Sequence, residues 1–460
     1  MNVNLNLCAG CLEKQQHLDR LEEENQRLRQ QLRRQQRQVQ EGPFGSSTPS
    51  AKIPLKANTP EEERSKPGGA CRNHAGHGRP AADAATADRV EEVGVGPSCP
   101  HCGGPLEKKG FRDRGVLDSR PMRAERIVYR LEKTYCRRCK KTVQARAPGV
   151  LEKSLVGNQL ITQVVMLHYR HGIPMGRICA QTGLGLGTVI AILHRLAALF
   201  GGLQEKLIGE YRQAPVRHAD ETGWRTDGHG GYAWLFATPE LSLFLFRATR
   251  SARVVREVLG EQPLKGVLVV DRYAGYNRAP CAIQYCYAHL LRDVEDLGKE
   301  FPDHAEVQAF TDALIPLLSQ AMHLHSRPLS DARYSEEAKP IQQQIIDVTQ
   351  QPARHLGVRQ VQDIFRDNAH RLYHWVENRN VPADNNRAER ELRPTVIARK
   401  VSFGSQSDAG AKTRGVLMSL MHTLAKRVSD VESHFKSVLD KLADDPGQDP
   451  LALLFPPDTS

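Results

Sequence analysis

The sequence predicts a mixed α/β protein: a strand-containing core interrupted by a long helical insertion and preceded by smaller modules. Three observations carry that expectation. Short apolar runs follow Pro215 in the order strand, strand, strand, helix, strand, strand, helix. Two of those runs end on an acid, Asp220 and Asp271. Mostly helical residues, 299–380, then separate the runs from a polar segment, Pro382-Ala-Asp-Asn-Asn-Arg-Ala-Glu389-Arg-Glu-Leu-Arg393.

The chain has 460 residues, more than one hydrophobic core usually organises, so two or more domains are expected. Residues 12–40 carry a heptad pattern. Leu18, Asn25, Leu32 and Val39 occupy one seam position, and Leu21, Leu28 and Gln35 the other. This reads as a short parallel coiled coil, in which Asn25 would select a dimer, or else as a single solvated charged helix. Residues 41–97 turn to Gly, Pro, Ser, Ala and charge without apolar periodicity, as in a disordered linker.

Cys99-Pro-His-Cys102 and Cys136-Arg-Arg-Cys139 are two tight cysteine pairs, a donor set suited to tetrahedral Zn²⁺, and residues 98–145 read as a zinc ribbon. Arg126–Tyr135 reads as the strand that enters the second pair. Basic residues flank both pairs, so the module is either a DNA contact or a purely structural metal site. Cys8 and Cys11 lack a partner pair, and Cys71 reads as a spare thiol.

Residues 154–205 are helical by pattern. Ile178, Cys179, Gly183, Leu184, Leu186, Val189 and Ile192 fall where a helix-turn-helix needs apolar or small residues, with Gly183 at the turn. Arg177, Thr188, His194 and Arg195 would then face DNA; the alternative is an ordinary helical hairpin.

The strands follow: Val216–Asp220, Tyr232–Ala237, Leu243–Arg247, Gly266–Asp271 and Ala282–Tyr285, with helices over Ser251–Leu259 and Ala288–Leu297. That order fits an RNase H-like core spanning 214–425, whose first and fourth strands lie parallel and side by side, with 426–460 left as a C-terminal tail. Asp220 and Asp271 then sit at neighbouring strand ends. An unpaired acid is costly in a core, so acids in these positions point to chemistry. Two aspartates and Glu389 suffice to anchor Mg²⁺, or Mn²⁺ in its place, for phosphodiester cleavage and transfer. Arg387, Arg390 and Arg393 form a basic collar around Glu389 suited to a DNA backbone. Glu391 lies two residues further along the same helix, on nearly the opposite side, and is expected to face solvent or to pair with a neighbouring arginine.

Charge agrees with a polyanionic partner: 64 Lys+Arg against 53 Asp+Glu give a formal +11. No apolar leader begins the sequence and no run of eighteen apolar residues occurs, so a cytoplasmic, nucleoid-associated protein without a membrane span is expected, its cysteines serving as thiols or metal ligands.

Four segments, His218-Ala-Asp220-Glu-Thr222-Gly-Trp, Val270-Asp271-Arg-Tyr-Ala-Gly-Tyr276, Cys286-Tyr-Ala-His289-Leu-Leu-Arg292 and Asn385-Asn-Arg-Ala-Glu389-Arg-Glu-Leu-Arg393, precede Arg399-Lys400-Val-Ser-Phe403-Gly-Ser. Together they resemble, in order, the catalytic blocks of DDE transposases of the IS66 group of bacterial insertion sequences. The resemblance implies a transposase that binds the ends of its element and cleaves and transfers DNA strands, with Asp220, Asp271 and Glu389 as the catalytic triad. It further implies that Asn385, Asn386 and Arg393 support the glutamate helix, that Arg399 and Lys400 support the site or contact DNA, and that Cys286 and His289 form a Cys-x-x-His block. That pair reads as packing or a local clasp in preference to a second metal site. Homo-oligomers and element-encoded accessory proteins are the implied partners. A catalytically silent DNA-binding regulator and a nuclease without strand transfer are the competing functions.

Overall fold

In the computed structural model, residues 124–138 and 141–456 are described, together with Val90 and nine helical positions between Lys14 and Leu28. Contacts divide the chain into two units, Pro54–Arg123 and the remainder, and every described strand and helix belongs to the remainder. Leu18, Leu21, Asn25 and Leu28 of the heptad segment are helical and exposed; Leu32, Gln35 and Val39 lie outside the described residues, as does the linker apart from Val90. A two-stranded antiparallel hairpin, β1 (Lys133–Cys136) and β2 (Lys141–Gln144), brackets the second cysteine pair. The strand entering that pair is therefore shorter than expected, since residues 126–132 belong to no strand.

A helical region follows: α1 (Asn158–Val165) running into a π-helical turn, Met166–Arg170, then α2 (Met175–Thr182), α3 (Leu186–Leu199) and α4 (Leu203–Gln213). Helices α2 and α3 meet at 110°. Gly183 makes that turn at φ +72°, a conformation that costs glycine little.

The sheet comprises β3 (Val216–Thr226), β4 (His229–Ala237), β5 (Ser242–Arg247), β6 (Val267–Val270) and β7 (Ala282–Tyr285), with α5 (Ala252–Leu259) between β5 and β6. Its spatial order is β5-β4-β3-β6-β7. The first three strands form an antiparallel meander, and β3 and β6 are parallel neighbours, as the strand order led one to expect; β7 pairs in parallel with the other side of β6. Strand β5 is buried along almost its whole length because helices cover it. It is also an edge strand, whose free backbone groups would template further pairing. Ser419 and Thr423 of α12 (Asp408–Arg427) accept from Phe244 N at 2.8 Å and Ser242 N at 3.1 Å, while Gln204 donates to Phe244 O at 2.9 Å. The edge is thus closed by hydroxyl and amide side chains.

After β7 come α6 (Tyr287–Glu300), α7 (Ala305–Leu324), α8 (Asp331–Gln350), α9 (Leu356–Asp367) and α10 (His374–Glu377). This insertion is locked by buried polar bonds onto β7, where Gln284 donates to Leu372 O at 3.2 Å and accepts from Trp375 N at 3.3 Å, and onto the start of α6. Tyr287 donates to Leu372 O at 2.7 Å, Trp375 Nε1 to Tyr287 Oη at 3.0 Å, and Tyr334 to Trp375 O at 3.0 Å. Val381 packs on Val216 and Val269, and Tyr287 N donates to Ala383 O at 2.8 Å, so the returning chain passes beside the start of α6. It then enters α11 (Asn386–Ser402).

Two expectations need correction. Residues 426–460 do not trail away as a tail: α13 (Val431–Asp444) and α14 (Pro450–Leu454) follow, with Phe435, Val438 and Leu439 buried, and Asn158 of α1 donates to Asp440 at 2.9 Å. Nor do the helices of 154–205 form a separate body, since Val189, Leu196, Phe244 and Leu417 belong to one core cluster. Among the described residues no single helix is long and apolar enough to cross a membrane.

Gly266 fixes the level at which β6 joins β3. Its φ is +86°, a Cβ there would stand 2.3 Å from Pro215 O, and the next residue, Val267, donates to that same oxygen at 2.9 Å. Gly266→Ala should cost about 2 kcal/mol or more through this clash and the left-handed backbone. Urea denaturation would measure it, and an unchanged midpoint would show that the register is set elsewhere.

Candidate active site

The parallel register of β3 and β6 pairs Val216 with Val267, Arg217 with Leu268 and His218 with Val269. Continued two residues further, it sets Asp220 level with Asp271. Asp271 follows the last residue of β6, as expected. Asp220 does not end its strand, which runs on to Thr226 through pairing with β4; it stands just past the last residue paired with β6. The long β4 partner, rather than any local stop signal, extends β3. Burial raises the Asp220 carboxyl well above the ordinary carboxylate range, with Glu221, Asp271 and Glu389 adding repulsion. Burial also raises Asp271, opposed by the Tyr273 N–H, which donates to its Oδ1 at 3.0 Å, and by Arg250 and Arg272.

Glu389 lies in the first turn of α11, and Asn385 places that turn. Its Nδ2 donates to Ala219 O at 2.8 Å, the residue before Asp220, and its N–H donates to the Cys286 sulfur at 3.1 Å. With the amide nitrogen committed, Oδ1 faces His218 Nδ1 at 3.0 Å. Burial lowers the pKa of His218 to about 4, so at neutral pH the ring is uncharged and the proton needed for this bond resides on Nδ1. Asn385 therefore acts across elements and makes no side-chain cap; Asp384 instead accepts from Asn386 N at 2.9 Å. Arg292 of α6 donates to Glu389 Oε1 at 3.3 Å, and His289 Nδ1 lies 4.0 Å from the same oxygen. Burial raises the Glu389 pKa, while Arg292 opposes the shift.

Glu391 does not face solvent; it pairs with the neighbouring Arg387, as one alternative had it, but its closer partners are distant in sequence. Its Oε2 accepts from Lys426 Nζ at 2.8 Å and Ser242 Oγ at 2.7 Å, and Arg387 stands 4.0 Å away. The two glutamates thus point to different walls, Glu389 toward α6 and Glu391 toward α12 and β5. Arg390, Arg393 and Lys400 are exposed along α11, and Arg387 is half-buried. Arg399, expected on the DNA side, turns inward and donates to Thr222 Oγ1 at 3.0 Å and Gly223 O at 2.5 Å. In the helix pair, Arg177 and Thr188 are exposed, while His194 bonds Thr413 at 2.6 Å and Arg195 donates to Glu152 O. Cys99, Cys102, Cys139 and the side chain of Cys136 lie outside the described residues.

Sequence reasoning passes over Glu221. Its buried carboxylate accepts from Arg250 at 2.6 Å and from the Tyr276 hydroxyl, while Arg250 stacks 4.0 Å above the Tyr273 ring and Tyr273 donates to Arg250 O. The network joins the strand carrying Asp220 to the segment after Asp271. A second acid directly following Asp220 on a strand of alternating faces is the signal that could have found it.

The sequence profile of the Transposase IS66 family matches residues 153–413, more than half of the chain. The chain belongs to the IS66 transposase family. The profile of the zinc-finger binding domain of transposase IS66 matches residues 97–140, which include both cysteine pairs of the ribbon. This IS66-family chain is also similar to "Uncharacterized protein y4qI" of Sinorhizobium fredii (strain NBRC 101917 / NGR234), with 25% identity over 408 residues, 78% of this chain and 74% of that protein. Family membership supports a transposase function, with DNA as the partner and Zn²⁺ in the N-terminal module.

The raised carboxyls give a signed pH dependence. A pKa higher in the folded than in the unfolded state stabilises the fold below the unfolded value, about 4, and that contribution is lost as pH rises through the folded value. Asp220→Asn removes the largest such liability. In buffer free of divalent ions the variant should melt above the wild type at pH 8, and the gap should close toward pH 4. Scanning fluorimetry showing no gap, or one independent of pH, would contradict the electrostatics described.

Proposed function

We propose that this chain is the transposase of an insertion sequence, with Asp220, Asp271 and Glu389 anchoring Mg²⁺ on an RNase H-like core for DNA strand cleavage and strand transfer. The convergence of three carboxylates from β3, the end of β6 and the first turn of α11 carries the reading. The sheet order, third-second-first-fourth-fifth strand with the first and fourth parallel, supports it independently.

The donor set fits a hard divalent ion. The ligands are all oxygens, and among the described residues neither aspartate has an ion-pair partner. When bound, Mg²⁺ would supply charge neutralisation at the phosphate and activation of the attacking oxygen. The protein's own contribution is placement. Asn385 holds the turn bearing Glu389 against the strand bearing Asp220, and Glu221 with Arg250 and Tyr276 holds the segment bearing Asp271. Arg390, Arg393 and Lys400 lie exposed along one side of α11, spaced to follow a phosphate backbone away from the carboxylates. Arg177 and Thr188 at the bent helix pair offer a second contact, and the zinc module a third. The N-terminal heptads would pair two copies.

Asp220→Asn, Asp271→Asn and Glu389→Gln should each reduce Mg²⁺-dependent cleavage more than about 100-fold while DNA binding persists, because even outer-shell partners of a metal are worth about 10–100-fold. Glu391→Gln should keep most of the cleavage and cost about 1–3 kcal/mol of stability, because it removes a charged partner of Lys426. A labelled-end assay separates the outcomes: joined product supports the proposal, cut but unjoined ends indicate a nuclease, and binding alone a silent regulator.

For the zinc module, joint replacement of Cys99 and Cys136 by serine should remove one zinc per chain by elemental analysis. An unchanged zinc content would exclude these ligands.

A further inference from the structure

Glu389 has neighbours that the phosphodiester chemistry does not require. Cys286 is the residue before α6 and His289 lies in its first turn, so the pair shares one side of the helix start. The Cys286 sulfur, a His289 ring nitrogen and a Glu389 carboxylate oxygen all lie within 4.8 Å of one another. Cys286 is fully buried, and its sulfur receives the Asn385 N–H. His289 Nδ1 is shielded from solvent, has no hydrogen-bond partner among the described residues, and stands 4.0 Å from Glu389 Oε1. A buried nitrogen without a partner, between a sulfur and a carboxylate, is costly unless something binds it.

We propose that Cys286, His289 and Glu389 form a site for a thiophilic divalent ion such as Zn²⁺, in which Glu389 is shared with the Asp220–Asp271 site. A sulfur, an imidazole and a carboxylate select Zn²⁺, Co²⁺ or Cd²⁺ over Mg²⁺, which takes oxygen ligands. Tetrahedral Zn²⁺ places its ligand atoms about 3.3–3.6 Å apart, so the three side chains close in by about 1 Å, within the reach of rotamer adjustment. The Cys286 thiol gives up its proton on binding. Arg292, the cation now beside Glu389, is 39% exposed; it also donates to Ala288 O at 3.2 Å and lies 3.5 Å from His289 Nε2, and on ion binding its contact with Glu389 would give way to solvent. Because one carboxylate cannot serve both ions fully, the soft ion withdraws Glu389 from the aspartates and inhibits the hard-ion reaction. This last consequence rests on the proposed Asp-Asp-Glu site; the binding itself does not.

Two measurements on the full chain test the proposal separately. Protein whose zinc module is already filled is titrated with Co²⁺, followed by the thiolate-to-cobalt charge-transfer band. Wild type should take up one equivalent that Cys286→Ser and His289→Gln lack. His289 is partly exposed, so its variant should fold even if the cysteine variant does not. Equal uptake by wild type and His289→Gln would overturn the site. In the second measurement, micromolar Zn²⁺ should slow Mg²⁺-dependent cleavage by wild type at least tenfold and His289→Gln much less. Uptake of Co²⁺ without this inhibition would overturn the sharing of Glu389 while leaving the site. Cleavage by Asp220→Asn would instead disprove the Asp-Asp-Glu reading without touching the Co²⁺ result.

Discussion

Asn385 is the constraint on which the site depends. The sheet can align Asp220 with Asp271 unaided, because both stand just past the paired residues of adjacent parallel strands. The third carboxylate arrives only after a helical excursion. Small errors in how that insertion packs would displace Glu389 unless its helix were referenced directly to the sheet. Asn385 supplies the reference with three bonds, to Ala219, to His218 and to the Cys286 sulfur. Each acceptor or donor lies within two residues of Asp220 or at the start of α6. All are buried, so the bonds act in a low dielectric where a mismatch would leave polar atoms without partners.

That precision opposes the stability of the fold. Carboxylates are gathered where burial and mutual repulsion both disfavour their charge, offset only in part by Arg292 beside Glu389 and by Arg250 and Arg272 near Asp271. The surroundings resist the repulsion by stiffness. Glu221, itself an acid, is neutralised by Arg250 and Tyr276 and becomes a brace between the strand and the loop that carry the aspartates. Glu391 with Lys426, and Arg399 with Thr222 and Gly223, brace the other side of α11. The scaffold therefore holds the geometry of the carboxylates by itself, which is the preorganisation that the proposed metal site would require.

Much of this is legible in the sequence where the signal is local. The five strands, the helix before β6 and the glycine turn at Gly183 follow from apolar runs and punctuation, and element ends differ by a few residues. What escapes depends on distant partners. The extension of β3 beyond Asp220 comes from pairing with β4, which no motif in Val216–Asp220 announces. Glu391 reads as a surface residue because helix geometry shows only that it diverges from Glu389; Lys426 and Ser242, which occupy that side, are far away in sequence. Arg399 and His194 read as DNA contacts because basic residues outside apolar runs usually are, yet Thr222 and Thr413 capture them. The last helices escape notice since their apolar face gains meaning only against α1.

The division of α11 into two faces bears on how DNA could lie. Its inner residues Ala388, Leu392, Thr395 and Val396 are buried, and Glu391 and Arg399 are occupied by internal bonds. Its outward residues recur as Arg390, Arg393, Ile397, Lys400 and Val401, close to the helical repeat. The first part of that stripe is cationic and nearest the carboxylates, while the last part is mostly apolar and ends at Phe403, which is 77% exposed in a left-handed conformation. A backbone following this helix would meet charge near the reacting phosphate and an aromatic surface about 20 Å farther along, from the 1.5 Å rise per residue. Charge close to the chemistry holds the phosphate without reading sequence, whereas an exposed ring can stack on a base. On the proposed function, one helix would combine the third carboxylate, its anchoring to the sheet and a track for nucleic acid, which would explain why so few of its polar residues are left without a task.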